Sequence, residues 1–134
     1  RVSLAYESPV RGIATSGWRG RSLSLGIADA VTVLAGSAAI ADAAATLIAN
    51  DVNVDYPGIL KRPASEVKDE SDLGMLPVTV DVPPLPFDQI SEALKRGAQT
   101  AGNFIRTGKI EAAYLSLQKQ TLVVENNLKK ESNE

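Results

Sequence analysis

Cysteine and histidine are both missing from this chain of 134 residues. Together the two absences exclude a disulfide framework, a cysteine nucleophile, an imidazole general base, a Ser-His-Asp triad and the usual zinc sites. Any chemistry here must rest on carboxylates, hydroxyls, lysine, arginine or a hard metal ion. Aromatic bulk is scarce too: two Phe, one Trp and three Tyr leave the core to aliphatic side chains, which at 44% hydrophobic residues suffice for one domain. Neither sign of charge is in excess. With 14 basic against 16 acidic residues the net charge is -2, too little to draw a nucleic acid or an anionic membrane surface. No apolar run approaches the roughly 20 residues that cross a bilayer, and no signal-peptide pattern is visible. Neither a nucleic-acid partner nor membrane insertion is expected.

What the chain does have is an alanine-rich stretch, Ser37-Ala-Ala-Ile-Ala-Asp-Ala-Ala-Ala-Thr-Leu-Ile-Ala-Asn50, with Asp42 and Thr46 four residues apart inside it. On an α-helix that spacing stacks a carboxylate and a hydroxyl on one face. Such a pair suits a hard cation such as Mg2+, which prefers carboxylate, carbonyl and water oxygens. The alternative is a local one, in which the Thr46 hydroxyl bonds back to the Asp42 carbonyl and the carboxylate faces water. Spacing alone leaves both open.

Along the chain, residues 10 to 16 read as a strand entering the loop Gly17-Trp-Arg-Gly-Arg-Ser22, whose glycines would permit close backbone approach to a ligand. Arg19 and Arg21 would pair with phosphate there or stand solvated. Gly12 and Gly17 have the spacing that opens a nucleotide P-loop, but Trp18 and Arg19 stand where Lys and Ser/Thr are required. Ala30-Val-Thr-Val-Leu-Ala35 reads as a strand. Ser37 is a good N-cap for the alanine-rich helix, expected to be buried on most sides. Residues 61 to 72 read as an exposed polar connection with one helical turn after Pro63, and residues 77 to 82 as a strand closed by prolines at a sheet margin. Residues 87 to 107 make the longest helix, with Ile90, Leu94, Ala98, Ala101 and Ile105 as its apolar stripe, Asp88 as cap and Gly108 as stop. Residues 110 to 117 and 121 to 125 form a hairpin across Gln118-Lys-Gln120. The order β-β-α-β-α-β-β predicts an α+β fold with helices packed on a mainly antiparallel sheet. Residues 1 to 126 are expected to form the C-terminal part of a single domain whose N-terminal part is missing, followed by a flexible tail over 127 to 134.

Gly12-Ile-Ala-Thr-Ser-Gly17, then Val31-Thr-Val-Leu-Ala35, then Ala41-Asp-Ala-Ala-Ala-Thr46 together resemble the C-terminal half of ApbE-type flavin transferases, which show an A-T-S-G turn, a V-T-V strand and an A-D-A-x-A-T helix. Arg62-Pro-Ala64 and Ser71-Asp-Leu-Gly74 before Val78-Thr-Val80 look like a shorter, uncharacterised branch related to ApbE. The resemblance covers most of residues 10 to 125. It implies an ApbE-like fold in which Asp42 and Thr46 hold Mg2+ at the pyrophosphate of FAD, the metal helping to move FMN onto a threonine of a target protein. It also implies that Thr15, Ser16, Gly17, Arg19, Arg21 and Asp29 border the ligand. Where the transferases carry H-x-x-D-P-x-T-G, this chain has Ser22-Leu-Ser-Leu-Gly-Ile-Ala-Asp29.

Three readings follow from these residues. The chain is an Mg2+-dependent enzyme of the transferase type acting on FAD or FMN or on a related pyrophosphate nucleotide. Or it is a flavin- or nucleotide-binding module without turnover. Or it is a structural half-domain that assembles with a missing N-terminal segment or with a second copy as a dimer, an expectation raised by a first residue, Arg1, that reads as mid-domain. The shorter branch implies a cytoplasmic location.

Overall fold

The computed structural model describes residues 10–20, 23–67 and 73–125. Four strands form one antiparallel sheet in the order β1 (Gly12–Ser16), β2 (Ala30–Ala35), β5 (Ile110–Leu117), β6 (Gln120–Glu125). A separate antiparallel pair joins β3 (Leu60–Pro63) to β4 (Pro77–Asp81). The helices are α1 (Ala38–Asp51), the short α2 (Ala64–Val67) and α3 (Phe87–Arg106). This is the expected α+β architecture with helices on an antiparallel sheet, and α1 and α3 share one face of the larger sheet.

Alternation along the strands decides which face that is. Val31, Val33, Ala35, Ala113, Leu115 and Leu117 are buried in the main core beneath the helices. Their neighbours Leu34, Ala112 and Tyr114 fall on the opposite face with Val10, as a period of two requires. Helix α1 meets the core through Ala41, Ala44, Ala45, Ile48 and Ala49, which recur at three and four residues. Ile40 and Leu47 remain 46% and 51% exposed, so the helix buries one stripe rather than most of its circumference. Alanine carries the contact because it lets the helix lie close to the sheet. Helix α3 also approaches closely at Gly97, where a methyl group would stand 2.3 Å from Val52 Cγ2 and 2.9 Å from Leu115 Cδ2.

The helix ends follow local chemistry. The Ser37 hydroxyl accepts from the Ile40 amide at 3.2 Å, capping α1 as its sequence predicts. Pro86, not Asp88, occupies the N-cap of α3 and no side chain caps it; Asp88 lies in the first turn, where its charge suits the positive end of the helix. Gly108, at φ 75°, ends α3. The Lys109 amide then reaches Phe104 O at 2.9 Å and the Gly108 amide reaches Ile105 O at 3.0 Å, the two bonds of a Schellman motif.

Two elements depart from the sequence reading. Lys61-Arg-Pro63 belongs to a strand rather than a connection, pairing Lys61 with Thr79 and Arg62 with Val78. The β5–β6 turn is a two-residue one, Gln118-Lys119, because Gln120 already pairs with Leu117. Both turn residues have positive φ, 44° and 72°, a conformation usually filled by Asn and Gly. Tertiary bonds hold it here. Asp29 Oδ2 accepts from the Gln118 amide at 2.7 Å, while the Gln118 side chain donates to Pro83 O and accepts from the Leu85 amide, both at 2.8 Å. The expected tail, residues 127 to 134, lies outside the described residues.

Candidate functional site on the alanine-rich helix

Asp42 and Thr46 lie on the solvent-facing side of α1, opposite the alanine stripe, because positions 41, 44, 45, 48 and 49 have taken the buried side. Asp42 is exposed and Thr46 half-buried. The Thr46 hydroxyl donates to the Asp42 carbonyl at 3.0 Å, the local bond left open by the spacing. That bond spends the hydroxyl proton and leaves the oxygen able to accept or coordinate. Among the described residues the Asp42 carboxylate meets no cation and no donor. The pair thus supplies two hard oxygens, which fits Mg2+ as a half-site: this ion commonly takes one or two protein oxygens and completes its octahedron with water and phosphate. Among the described residues no group of three or more acidic side chains stands ready to cage a metal alone.

The loop residues expected to border a ligand are divided by the sheet. Ser16 shares the face of Ala14, which packs into the main core on the helix side. Thr15 points to the other face and its hydroxyl meets Thr32 Oγ1 at 2.9 Å. Gly17 is small for a structural reason, since a Cβ there would stand 2.3 Å from the Asp29 carbonyl oxygen, and its neighbour Trp18 donates to Ala28 O at 3.1 Å. The close backbone approach that this glycine allows within the fold is to Asp29. Arg19 lies over the Trp18 ring, 5.0 Å from its centroid, and is exposed. Trp18 Nε1 is buried without a hydrogen-bond partner. Arg21 lies outside the described residues. Asp29 spends one carboxylate oxygen on the hairpin turn, as described above. Strand β1 nevertheless begins against the start of α1, for a Cβ on Gly12 would stand 2.2 Å from the Ser37 carbonyl carbon. The A-T-S-G segment and the A-D-A-x-A-T helix are therefore neighbours.

The segment that replaces the transferases' His-containing stretch is consumed by the fold. Ser24 is 2% exposed; its hydroxyl accepts from the Gly26 amide at 3.1 Å and donates to Asn50 Oδ1 at 3.3 Å, which also accepts from the Leu25 amide at 3.0 Å. From the other side Thr79 donates its amide to Ser24 O at 2.8 Å and its hydroxyl to Gly26 O at 2.6 Å. The Lys61 ammonium donates to Leu25 O. A methyl group on Gly26 would stand 2.0 Å from Ala49 O, so only glycine fits beneath the end of α1. This knot ties β3 and β4 to the C-terminal end of α1.

Sequence reasoning missed a cleft of about 350 Å³ below that knot, lined by Asn53, Asp55, Tyr56, Lys61 and Arg96 among others. Its residues come from a loop, β3 and α3, with no spacing that would group them in advance.

These features describe an α+β protein whose two main helices cover one face of an antiparallel sheet, one of them offering a carboxylate and a hydroxyl outward. The chain belongs to the family described as AbpE bacteria, whose model matches residues 1–125. It is also 41% identical over 70 residues to a UPF0280 protein of Methanopyrus kandleri, a stretch that is 52% of this chain and 29% of that protein. The chain thus spans under a third of that relative's length. No solved structure matches it. Membership agrees with the ApbE-related resemblance at the level of the family. No described helix is long and apolar enough to cross a membrane.

Proposed function

We propose that this protein binds a flavin nucleotide, FAD through its pyrophosphate or FMN through its single phosphate, by way of Mg2+ held at Asp42 and Thr46. The observation that carries the reading is the uncommitted Asp42 carboxylate, one helical turn from the Thr46 oxygen on the water-facing side of α1. Bound there, Mg2+ would neutralise phosphate charge and polarise the pyrophosphate. Asp42 would contribute the formal charge, Thr46 a neutral oxygen fixed by its own backbone bond. Ser16, on the helix side of β1, and the adjoining Gly17 would border the nucleotide, while Thr15 lies on the far face of the sheet. Mn2+ in place of Mg2+ checks the location: in the presence of FAD it should broaden the NMR signals of residues 41 to 47 and spare those of β3 and β4. Uniform broadening, or none at these residues, would contradict the assignment.

A specific observation favours binding without turnover as the second reading. Ser24, Leu25 and Gly26 occupy the place of the His-containing segment and are spent on Asn50, Thr79 and Lys61. Release of AMP from FAD at an appreciable rate by the whole protein would exclude this reading and favour transfer of FMN. The reading in which this chain completes its fold with an N-terminal segment or a second copy concerns the whole protein; the transfer assay belongs to that form.

A further inference from the structure

The cleft of about 350 Å³ formed by the loop after α1, by β3 and by α3 gathers two cations on separate elements. Lys61, on β3, is half-buried and gives one N–H to the Leu25 carbonyl, which leaves two ammonium donors and no anionic partner among the described residues. Arg96, on α3, is fixed at the rim: its Nη1 donates to Asn53 O at 3.2 Å and its Nε pairs with Glu92 at 2.9 Å. The remaining guanidinium N–H groups are unspent. Asn53 lines the same wall and holds Arg96 through its backbone carbonyl. Tyr56, half-buried, supplies a ring and a phenol to the same wall.

The geometry points to an oxyanion subsite in this cleft, in which the phosphate or carboxylate head of a small molecule sits between the Lys61 ammonium and the Arg96 guanidinium. A partly desolvated cation gains more from a counter-ion than an exposed one, because the charge has already lost part of its water. Burial accordingly holds the Lys61 pKa below its ordinary value. Charge-assisted bonds from two cations on different elements also fix orientation. Two carboxylates oppose the anion: Asp55, exposed in the same lining, and Glu92, already paired with Arg96 Nε. The inference is independent of the Mg2+ reading, since none of these residues belongs to α1.

The test is an amide and arginine Nε NMR titration of the whole protein with inorganic phosphate and, separately, with acetate. Saturable shifts at Asn53, Tyr56, Lys61 and Arg96, without shifts at Asp42 and Thr46, are expected. Phosphate at least tenfold tighter than acetate identifies a phosphorylated ligand; the reverse order identifies a carboxylate. Arg96→Gln, which changes an exposed side chain and leaves the core alone, should weaken binding at least fivefold, and Asp55→Asn should tighten it about twofold. Lys61→Met should abolish it, with the unchanged dispersion of the remaining amides showing that the variant folds. Absence of saturable shifts at millimolar concentration of both anions, or affinity unchanged in both Arg96→Gln and Lys61→Met, would overturn the subsite.

Discussion

One helix serves two regions that use the same kinds of side chain to opposite ends. At the C-terminal end of α1, Asn50 meets Ser24 and Leu25, and Thr79 closes the knot from β4, so that each of these polar groups has a partner within the fold. Half-way along the same helix, Asp42 faces water and Thr46 spends only its proton, on its own backbone. Serine, threonine, asparagine and aspartate are equally polar in the sequence. Their roles separate only when the partners are known: groups satisfied by other segments hold the chain together, and groups left with spare oxygens face water.

The difference should be plainest in how each region answers mutation. Gly26→Ala should be the most damaging change, because its methyl would meet three carbonyl oxygens at 2.0, 2.8 and 2.9 Å and the backbone of α1 has to move. A loss of about 3 kcal/mol or failure to fold is expected, measured by chemical denaturation. Thr79→Val keeps the shape but removes the hydroxyl donor from the buried Gly26 carbonyl. It should cost about 1 to 3 kcal/mol in the same experiment. A smaller loss would mean that the knot is less closed than its bonds imply.

Asp42→Ala should behave in the opposite way. With an exposed carboxylate and no partner among the described residues, stability should change by no more than about 0.5 kcal/mol, while Mg2+-dependent nucleotide binding disappears. Thr46→Val, which removes one local bond, should be equally mild in stability and should weaken binding. If either variant destabilised the protein by more than about 1 kcal/mol, the contrast between the two regions would fail.

The smallest effect concerns pH. Burial sets the folded pKa of Lys61 below its ordinary value of 10.5. The unfolded chain therefore holds this proton to higher pH than the folded one, and stability attributable to Lys61 should rise as pH climbs from the depressed value toward 10.5. Arg96, Asp55 and Tyr56 line the same cleft and enter both proteins alike. The slope should appear as a difference between the unchanged protein and Lys61→Met in denaturation curves taken across that range. Parallel curves would show that the ammonium is better solvated than its surroundings suggest.

Much of the framework could be read from residues. β2, α1, α3 and the hairpin carry strong local signals: β-branched runs, a serine cap, an apolar stripe and a glycine stop. β3 carries none, because Leu60–Pro63 belongs to a two-stranded sheet with neither face fully buried, so no apolar alternation marks it. The exposure of Ile40 and Leu47 was hidden for a related reason: alanines, not the larger residues, form the contact stripe, and hydrophobic size misdirects the eye. The hairpin was read one residue too long at its turn, because the support of Gln118-Lys119 comes from Asp29 and the segment 83 to 85 rather than from the turn's own residues. At the candidate site, the stacking of Asp42 over Thr46 followed from spacing alone. What spacing could not give was the placement of Thr15 across the sheet, the commitment of Asp29 to a turn, or the convergence of Lys61 and Arg96 on one cleft.

The most direct measurement is calorimetric titration of FAD into the whole protein with and without Mg2+, repeated with Asp42→Ala. Binding that requires Mg2+ and is lost in Asp42→Ala, with the fold unchanged, is the predicted result. Binding of equal strength without Mg2+, or equal strength in Asp42→Ala, would contradict the assignment of the outward face of α1 as the metal-nucleotide site.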